Sequence, residues 1–346
     1  MKRTALLMGI AALAFASCAK DTVSETSNGR AIDFRVATET RALETTTNSL
    51  NEFYVTAIYA ELPDETEDSP ENYVPKSVYF DKVQFTKGTD NFFASSPAYY
   101  WPNDGQLNFY AYAPEMANVA ISATTQTLTG FAPADDIADQ VDFIVAKNSG
   151  SKANQGDGVG LTFDHMLSQI EIKAKNTRAD EYEYKVAGVK IADVLGQADF
   201  DFDSKTWDFT SYSTVKKTYE VELATPITLD GTGVNVMGKV TVDEVEVSDN
   251  AMLLPQNLSA TGMAATFGVY VKVTSKSTNS QVFPSTDGDD EDEAVDEYGW
   301  MDVDVKTNWE AGYKYVYTLD VTQADELGTP IKFTLEKVTP MGEPAE

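Results

Sequence analysis

From Ile32 to near the end of the chain, apolar and polar side chains alternate in short runs. A period of two is the spacing of a half-buried β-strand, and no stretch of useful length carries the helical period. Phe53 to Leu62 (FYVTAIYAEL), Ser77 to Phe85 (SVYFDKVQF), Gln106 to Pro114 (QLNFYAYAP) and Val141 to Lys147 (VDFIVAK) are rich in β-branched and aromatic residues. A longer run, Leu161 to Lys175 (LTFDHMLSQIEIKAK), follows a glycine-rich break from Asn148 to Gly160. Later runs begin at Lys185, Lys217, Lys239 (KVTVDEVEV), Thr266, Tyr313 and Ile331 (IKFTLEKV). Asp, Gly, Pro and Ser clusters separate them, the pattern of an all-β chain built as antiparallel sandwiches. The length and the break predict two β-sandwich domains in tandem, residues 42–158 and 159–346. No repeat at a fixed period is present, so a solenoid or propeller is disfavoured.

The first residues set the compartment. MKRTALLMGIAALAFASC has a basic start, an apolar run too short to span a bilayer, and small residues before Cys18. Residues 1–17 therefore read as a lipoprotein signal peptide, with Cys18 the residue to be acylated. Cys18 is the only cysteine, so no intrachain disulfide can form. Residues 18–30 are small and polar, a flexible tether to outer-membrane lipid. Without residues 1–17 the chain keeps 24 basic side chains against 55 acidic, a net charge of −31.

That charge excludes nucleic acid as a partner, because nothing basic is available to replace counterions on phosphate. It also disfavours docking on anionic lipid. The single histidine, His165, adjoins Asp164, but neighbours in a strand point to opposite faces. A hydrogen-bonded structural histidine is expected there. One histidine and one export-linked cysteine cannot make the usual zinc sites. Asp287 to Glu297 (DGDDEDEAVDE) is acidic but lacks the ligand spacing of a helix-loop-helix calcium site. Carboxylates are plentiful, yet none stands in a catalytic motif, so neither an enzyme nor a cofactor is expected. Pro97 to Gly105 (PAYYWPNDG) has two readings. Its rings pack in the core before a turn, or Trp101 is a sugar-stacking platform, in which case the chain is a surface glycan-binding lipoprotein.

Four segments bring a family into view. Tyr99 to Pro114, Val159 to Asn176, Met252 to Leu258 (MLLPQNL) and Asn308 to Thr322 (NWEAGYKYVYTLDVT) occur in this order. Together they resemble the fimbrillin family, the pilins of type V pili in Bacteroides-type bacteria. The resemblance implies two transthyretin-like sandwiches, export to the cell surface as a lipoprotein precursor, and removal of the first strand by an arginine-specific or trypsin-like protease. It also implies polymerisation with other pilin subunits, as a neighbour's C-terminal strand fills the vacancy.

The residues carry that scheme in their own terms. Of five arginines, Arg30, Arg35 and Arg41 cluster around Ile32, Phe34 and Val36, which alternate as a half-buried strand. Ile32 to Leu43 (IDFRVATETRAL) resembles the family's N-terminal strand and cleavage site, which implies a cut after Arg41 and makes residues 31–41 a candidate removable strand. The alternatives are a cut after Arg30 or Arg35, or a permanent first strand flanked by incidental arginines. Taking an edge strand away would leave unpaired backbone groups and an apolar channel. Ile331, Phe333 and Leu335 repeat the same alternation near the C-terminus, either as a donor strand or as the last strand of their own domain.

Overall fold

A computed structural model of the chain describes residues 29–36, 50–62, 73–90, 92–242, 245–248, 250–284, 297–321 and 332–341. Ten strands come before residue 166: β1 (Phe34–Val36), β2 (Glu52–Glu61), β3 (Val74–Lys87), β4 (Phe92–Ala94), β5 (Gln106–Ala113), β6 (Val119–Ile121), β7 (Gln126–Phe131), β8 (Ile144–Gly150), β9 (Val159–Leu161) and β10 (Asp164–His165). They are followed by β11 (Ser168–Lys175), β12 (Tyr182–Leu195), β13 (Ala198–Asp201), β14 (Thr206–Asp208), β15 (Lys216–Thr228), β16 (Val234–Asn235), β17 (Lys239–Val242) and β18 (Val245–Ser248). The last six are β19 (Ala251–Leu253), β20 (Ala265–Ser275), β21 (Ser280–Phe283), β22 (Gly299–Val305), β23 (Tyr313–Asp320) and β24 (Lys332–Pro340). The chain is all-β; the helices among the described residues are single 3-10 turns, Ile137–Asp139, Lys152–Asn154 and Thr210–Tyr212.

The first sheet has eight strands in the order β10-β8-β5-β2-β3-β4-β1-β9. Its inner face is aromatic: Phe34, Phe53, Phe80, Phe85, Phe93 and Phe109 share one buried cluster. The sheet curls over that face. Phe34, on β1, puts its ring within 5.9, 4.8 and 5.0 Å of Phe53, Phe85 and Phe109, which belong to strands two to four places away in the sheet. Asn148 Nδ2 on β8 donates to the Gly160 carbonyl on β9 at 2.6 Å, drawing two otherwise distant strands together.

Strands β2 and β5, and the first three residues of β8, are buried on both faces. Their other side, with Ile58, Tyr112 and Val145, packs on Leu128, Phe131, Phe200 and Phe202. Leu128, Phe131 and Phe200 belong to a four-stranded sheet, β14-β13-β7-β6, and Phe202 to the turn after β13; both halves of the sequence contribute to this sheet. A third core lies between two five-stranded sheets. One is β16-β11-β23-β24 with β19 on β11; the other is β15-β12-β20-β21 with β22 on β20. Ile170, Ile172, Tyr317 and Leu319 from the first meet Val189, Ile191, Phe267 and Val269 from the second, the face-to-face packing of a sandwich.

Several expectations change. The cut at 158/159 falls inside the first sheet, because β9 and β10 return to it and β11 is the first strand of the next. The glycine-rich break reads as a linker for want of alternation, but its residues hold β1: the Gly156 carbonyl accepts from Arg30, and the Val159 N–H donates to the Asp33 carbonyl. The run Leu161 to Lys175 is three strand segments in two sheets, and Lys239 to Val247 folds back as the hairpin β17–β18. Two pairings, β1 with β9 and β11 with β23, are parallel, so the sheets are not purely antiparallel.

Candidate functional site: the seat of the first strand

Strand β1 sits in a slot built by three other segments. Ala31 is bridged to Tyr100, and the Ile32 N–H donates to the Tyr99 carbonyl at 2.7 Å. Phe34 and Arg35 pair antiparallel with Phe93 and Phe92 on β4. On the other side, Phe34, Arg35 and Val36 run parallel to Val159, Gly160 and Leu161 on β9. The strand is therefore interior to its sheet, and the expectation of an edge strand is corrected. Alternation reveals which face a strand buries, not how many neighbours it has. Withdrawing β1 would expose two rows of backbone donors and acceptors, on β4 and on β9.

The inward side chains are the three singled out by the sequence. Ile32 is 1% exposed and Phe34 0%, and Val36 is half-buried against the same cluster. The three Phe34 ring contacts are near-perpendicular, at 70°, 82° and 89°, the favourable edge-to-face geometry. Burying Ile32 and Phe34 contributes about 3–6 kcal/mol together.

The outward side chains are polar. Arg35 lays its guanidinium 4.5 Å from the centre of the Phe92 ring. Burial pushes the Asp33 carboxyl above the ordinary aspartate value, while Arg30 and Arg35 pull it the other way. Gly158, at φ +71°, lets the β8–β9 loop pass close to β1; a Cβ there would lie 3.0 Å from the Phe92 ring and 3.1 Å from Asp33 Oδ1.

Trp101 completes the wall. It is 1% exposed and meets Phe109 edge-on at 5.9 Å, while Tyr99 packs on Phe80 at 4.7 Å. The sugar-platform reading of Pro97 to Gly105 is thereby corrected: the indole that would stack on a sugar is inside the core.

Strand β24 lies at the end of its sheet and pairs antiparallel with β23 along its length, Lys332 opposite Asp320 and Pro340 opposite Tyr313. Leu335 is half-buried against the sandwich core, and Thr334 and Glu336 are exposed. The backbone of Phe333 pairs with Leu319. Ile331, Cys18 and Arg41 lie outside the described residues.

His165 does not belong to this site. Its Nδ1 is 2.5 Å from Asp142 Oδ2, and both side chains are 3% exposed. Asp164 points away to Lys205, 2.6 Å off. Sequence reasoning missed Asp142, because the two residues come together only through the pairing of β10 with β8. It missed equally that Phe92, Phe93, Val159 and Leu161 line the slot. The adjacent phenylalanines of DNFFASS were a usable signal, being an apolar pair in an otherwise polar loop. Among the described residues, no group of His, Cys, Asp and Glu side chains could hold a metal ion.

Comparison with known proteins places this architecture. A putative cell adhesion protein from Bacteroides ovatus superposes with a TM-score of 0.50 at 13% identity, over 92% of this chain and 100% of that one. A putative cell adhesion protein from Parabacteroides distasonis superposes with a TM-score of 0.51 at 8% identity, over 92% of this chain and 98% of that one. At such identities the likeness is one of fold. No curated protein matches the sequence. The family model described as fimbrillin-like matches residues 40–337, most of the sequence, and the chain therefore belongs to the fimbrillin-like family.

Proposed function

We propose that this chain is a structural subunit of a surface pilus that supports adhesion. It is exported as a lipoprotein acylated at Cys18, cut after Arg41 by an arginine-specific or trypsin-like protease, and polymerised by strand exchange. The observation that carries this reading is the two-sided seat of β1, with Phe34 at the hub of the first core.

The chain positions support it. Residues 18–30 precede β1 and Arg41 follows it, so one cut after Arg41 separates lipid, tether and β1 from the body that begins near Leu50. The family match starts at residue 40, beside that bond. The two superposable proteins are both described as putative cell adhesion proteins.

The vacated slot imposes rules on its occupant. It must carry apolar residues at alternate positions, and it must run antiparallel to β4 and parallel to β9, as β1 does. Ile331, Phe333 and Leu335 supply the alternation. Donating them requires β24 to unpair from β23 and Leu335 to leave its own core. The first phenylalanine-lined slot offsets this cost at about 1.5–3 kcal/mol per buried side chain and about 1 kcal/mol per backbone bond. The contact joins unlike surfaces of successive copies, so it propagates rather than closes.

The test is proteolysis of the purified precursor. Limited trypsin digestion should generate a chain starting at Ala42 and SDS-resistant ladders, while Arg41→Ala stays monomeric under the same treatment. Equal ladders from Arg41→Ala would remove the cleavage step from the account.

A further inference from the structure

The strand proposed for donation is held by two different cores. Leu335, in the first half of β24, is half-buried against the sandwich core. Thr334, Glu336, Lys337 and Val338 are exposed, Val338 at 45%. Thr339 and Pro340 are half-buried. Met341, one residue past the strand, is 4% exposed and is the only buried side chain described from 334 to 341. It does not join the sandwich core. It belongs to the middle cluster, with Met166, Leu167, Met252, Leu254 and Ile58 of β2.

The backbone leads to the same place. The Met341 N–H donates to the Gly312 carbonyl at 2.7 Å, and the Gly312 N–H donates to the Leu167 carbonyl at 2.8 Å. Gly312 sits at φ +78°, a left-handed conformation that glycine adopts without strain. Met166 and Leu167 carry the chain from β10 in the first sheet to β11 in the sandwich. The Met166 N–H donates in turn to the carbonyl of Phe143, just before β8, at 2.9 Å. The end of β24 is thus tied, through the crossover, to the first sheet.

We infer that Met341 is an autoinhibitory latch: it keeps β24 in its own sheet, and a subunit donates the strand only after this side chain leaves the middle core. The inference rests on the strand-exchange reading above and adds what restrains the exchange. β24 ends its sheet, with β23 as its one neighbour among the described strands. Its middle is exposed, so little apolar burial retains it there. A strand held mainly by backbone bonds frays from its ends. Met341 closes the C-terminal end. Methionine suits a reversible anchor, because its unbranched chain fills irregular gaps without a strict fit.

The experiment follows hydrogen exchange of the full-length, uncut chain by mass spectrometry, in the wild type, Met341→Ser, Met341→Leu and Val338→Ser. Peptides covering β24 are compared with peptides from β11, inside the same sheet. Met341→Ser should speed exchange across β24 by about tenfold or more, the scale of one lost buried side chain, and leave β11 at its wild-type rate. Met341→Leu should keep wild-type protection, and Val338→Ser should change it by less than about twofold. Trypsin-cut Met341→Ser should then form SDS-resistant ladders faster than cut wild type. Unchanged β24 exchange in Met341→Ser overturns the inference. So does exchange that rises equally in β11, which would make Met341 an ordinary core residue. Faster β24 exchange with ladders forming at the wild-type rate overturns the latch while strand exchange stands. If cut wild type forms no ladders, strand exchange fails and the latch falls with it.

Discussion

Replacing Phe34 by Ala in the uncut chain isolates what β1 contributes to the first core. The ring is fully buried and touches three other phenylalanines edge-on. Phe→Ala at such a site costs about 3–5 kcal/mol in lost transfer energy and cavity. Three edge contacts at about 0.5–1.5 kcal/mol each place this one toward the upper end. With a urea slope of about 2–3 kcal/mol/M, the unfolding midpoint falls by about 1–2.5 M. Fluorescence of Trp101, which packs against Phe109 in the same core, reports the transition locally. Arg35→Ala is the internal control. Arg35 is on the same strand but faces outward over Phe92, and its loss costs about 0.5–1 kcal/mol. Equal costs for the two variants would refute the reasoning, because β1 would then be held by its backbone alone. A second arm follows: once β1 has been cut away and replaced, Phe34→Ala should leave the stability of the polymer unchanged.

Three further outcomes are expected. His165→Ala strands the buried Asp142 carboxylate, and chemical denaturation should show a loss of about 3–5 kcal/mol, whereas Asp164→Ala on the exposed face should cost under about 1 kcal/mol. Burial acts to raise the Glu171 carboxyl, but Lys314 at 2.6 Å and Lys173 outweigh it and hold the group below the ordinary glutamate value. A carboxylate depressed by folding stabilises above its unfolded pKa and loses that contribution as pH falls through the depressed one. The stability gap between the wild type and Glu171→Gln should therefore be full at pH 7 and vanish in strong acid. Leu335→Asp places a charge in the candidate donor strand, and mixing cut wild-type and variant subunits should give chains that end wherever the variant must donate.

Much of this was legible in the sequence, and the failures have physical causes. Alternation located β3 and β20, which bury mainly one parity of side chains in a core, while β2, β5 and β23, buried on both faces over most of their length, stood out by their β-branched and aromatic content. It also picked out Ile32, Phe34 and Val36 as one inward face. It could not separate β9, β10 and β11, because Leu161, Phe163 and His165 stay buried in step while the chain leaves one sheet for another. It could not distinguish an interior β1 from an edge strand, since pairing partners leave no mark on the strand itself. Trp101 and Trp300 show the same limit from the other side. Both sit among aromatic and polar neighbours, yet the one flagged for sugar stacking is buried and the unflagged one is exposed. The pairing of Asp142 with His165 was invisible for a simpler reason: it is made by tertiary register, 23 residues apart in sequence.

The most direct measurement is the N-terminal sequence and intact mass of the subunit recovered from surface-assembled polymer. The account predicts a chain beginning at Ala42, with Ile32, Phe34 and Val36 absent. Polymer whose subunits still start at acylated Cys18 and retain Phe34 would contradict it.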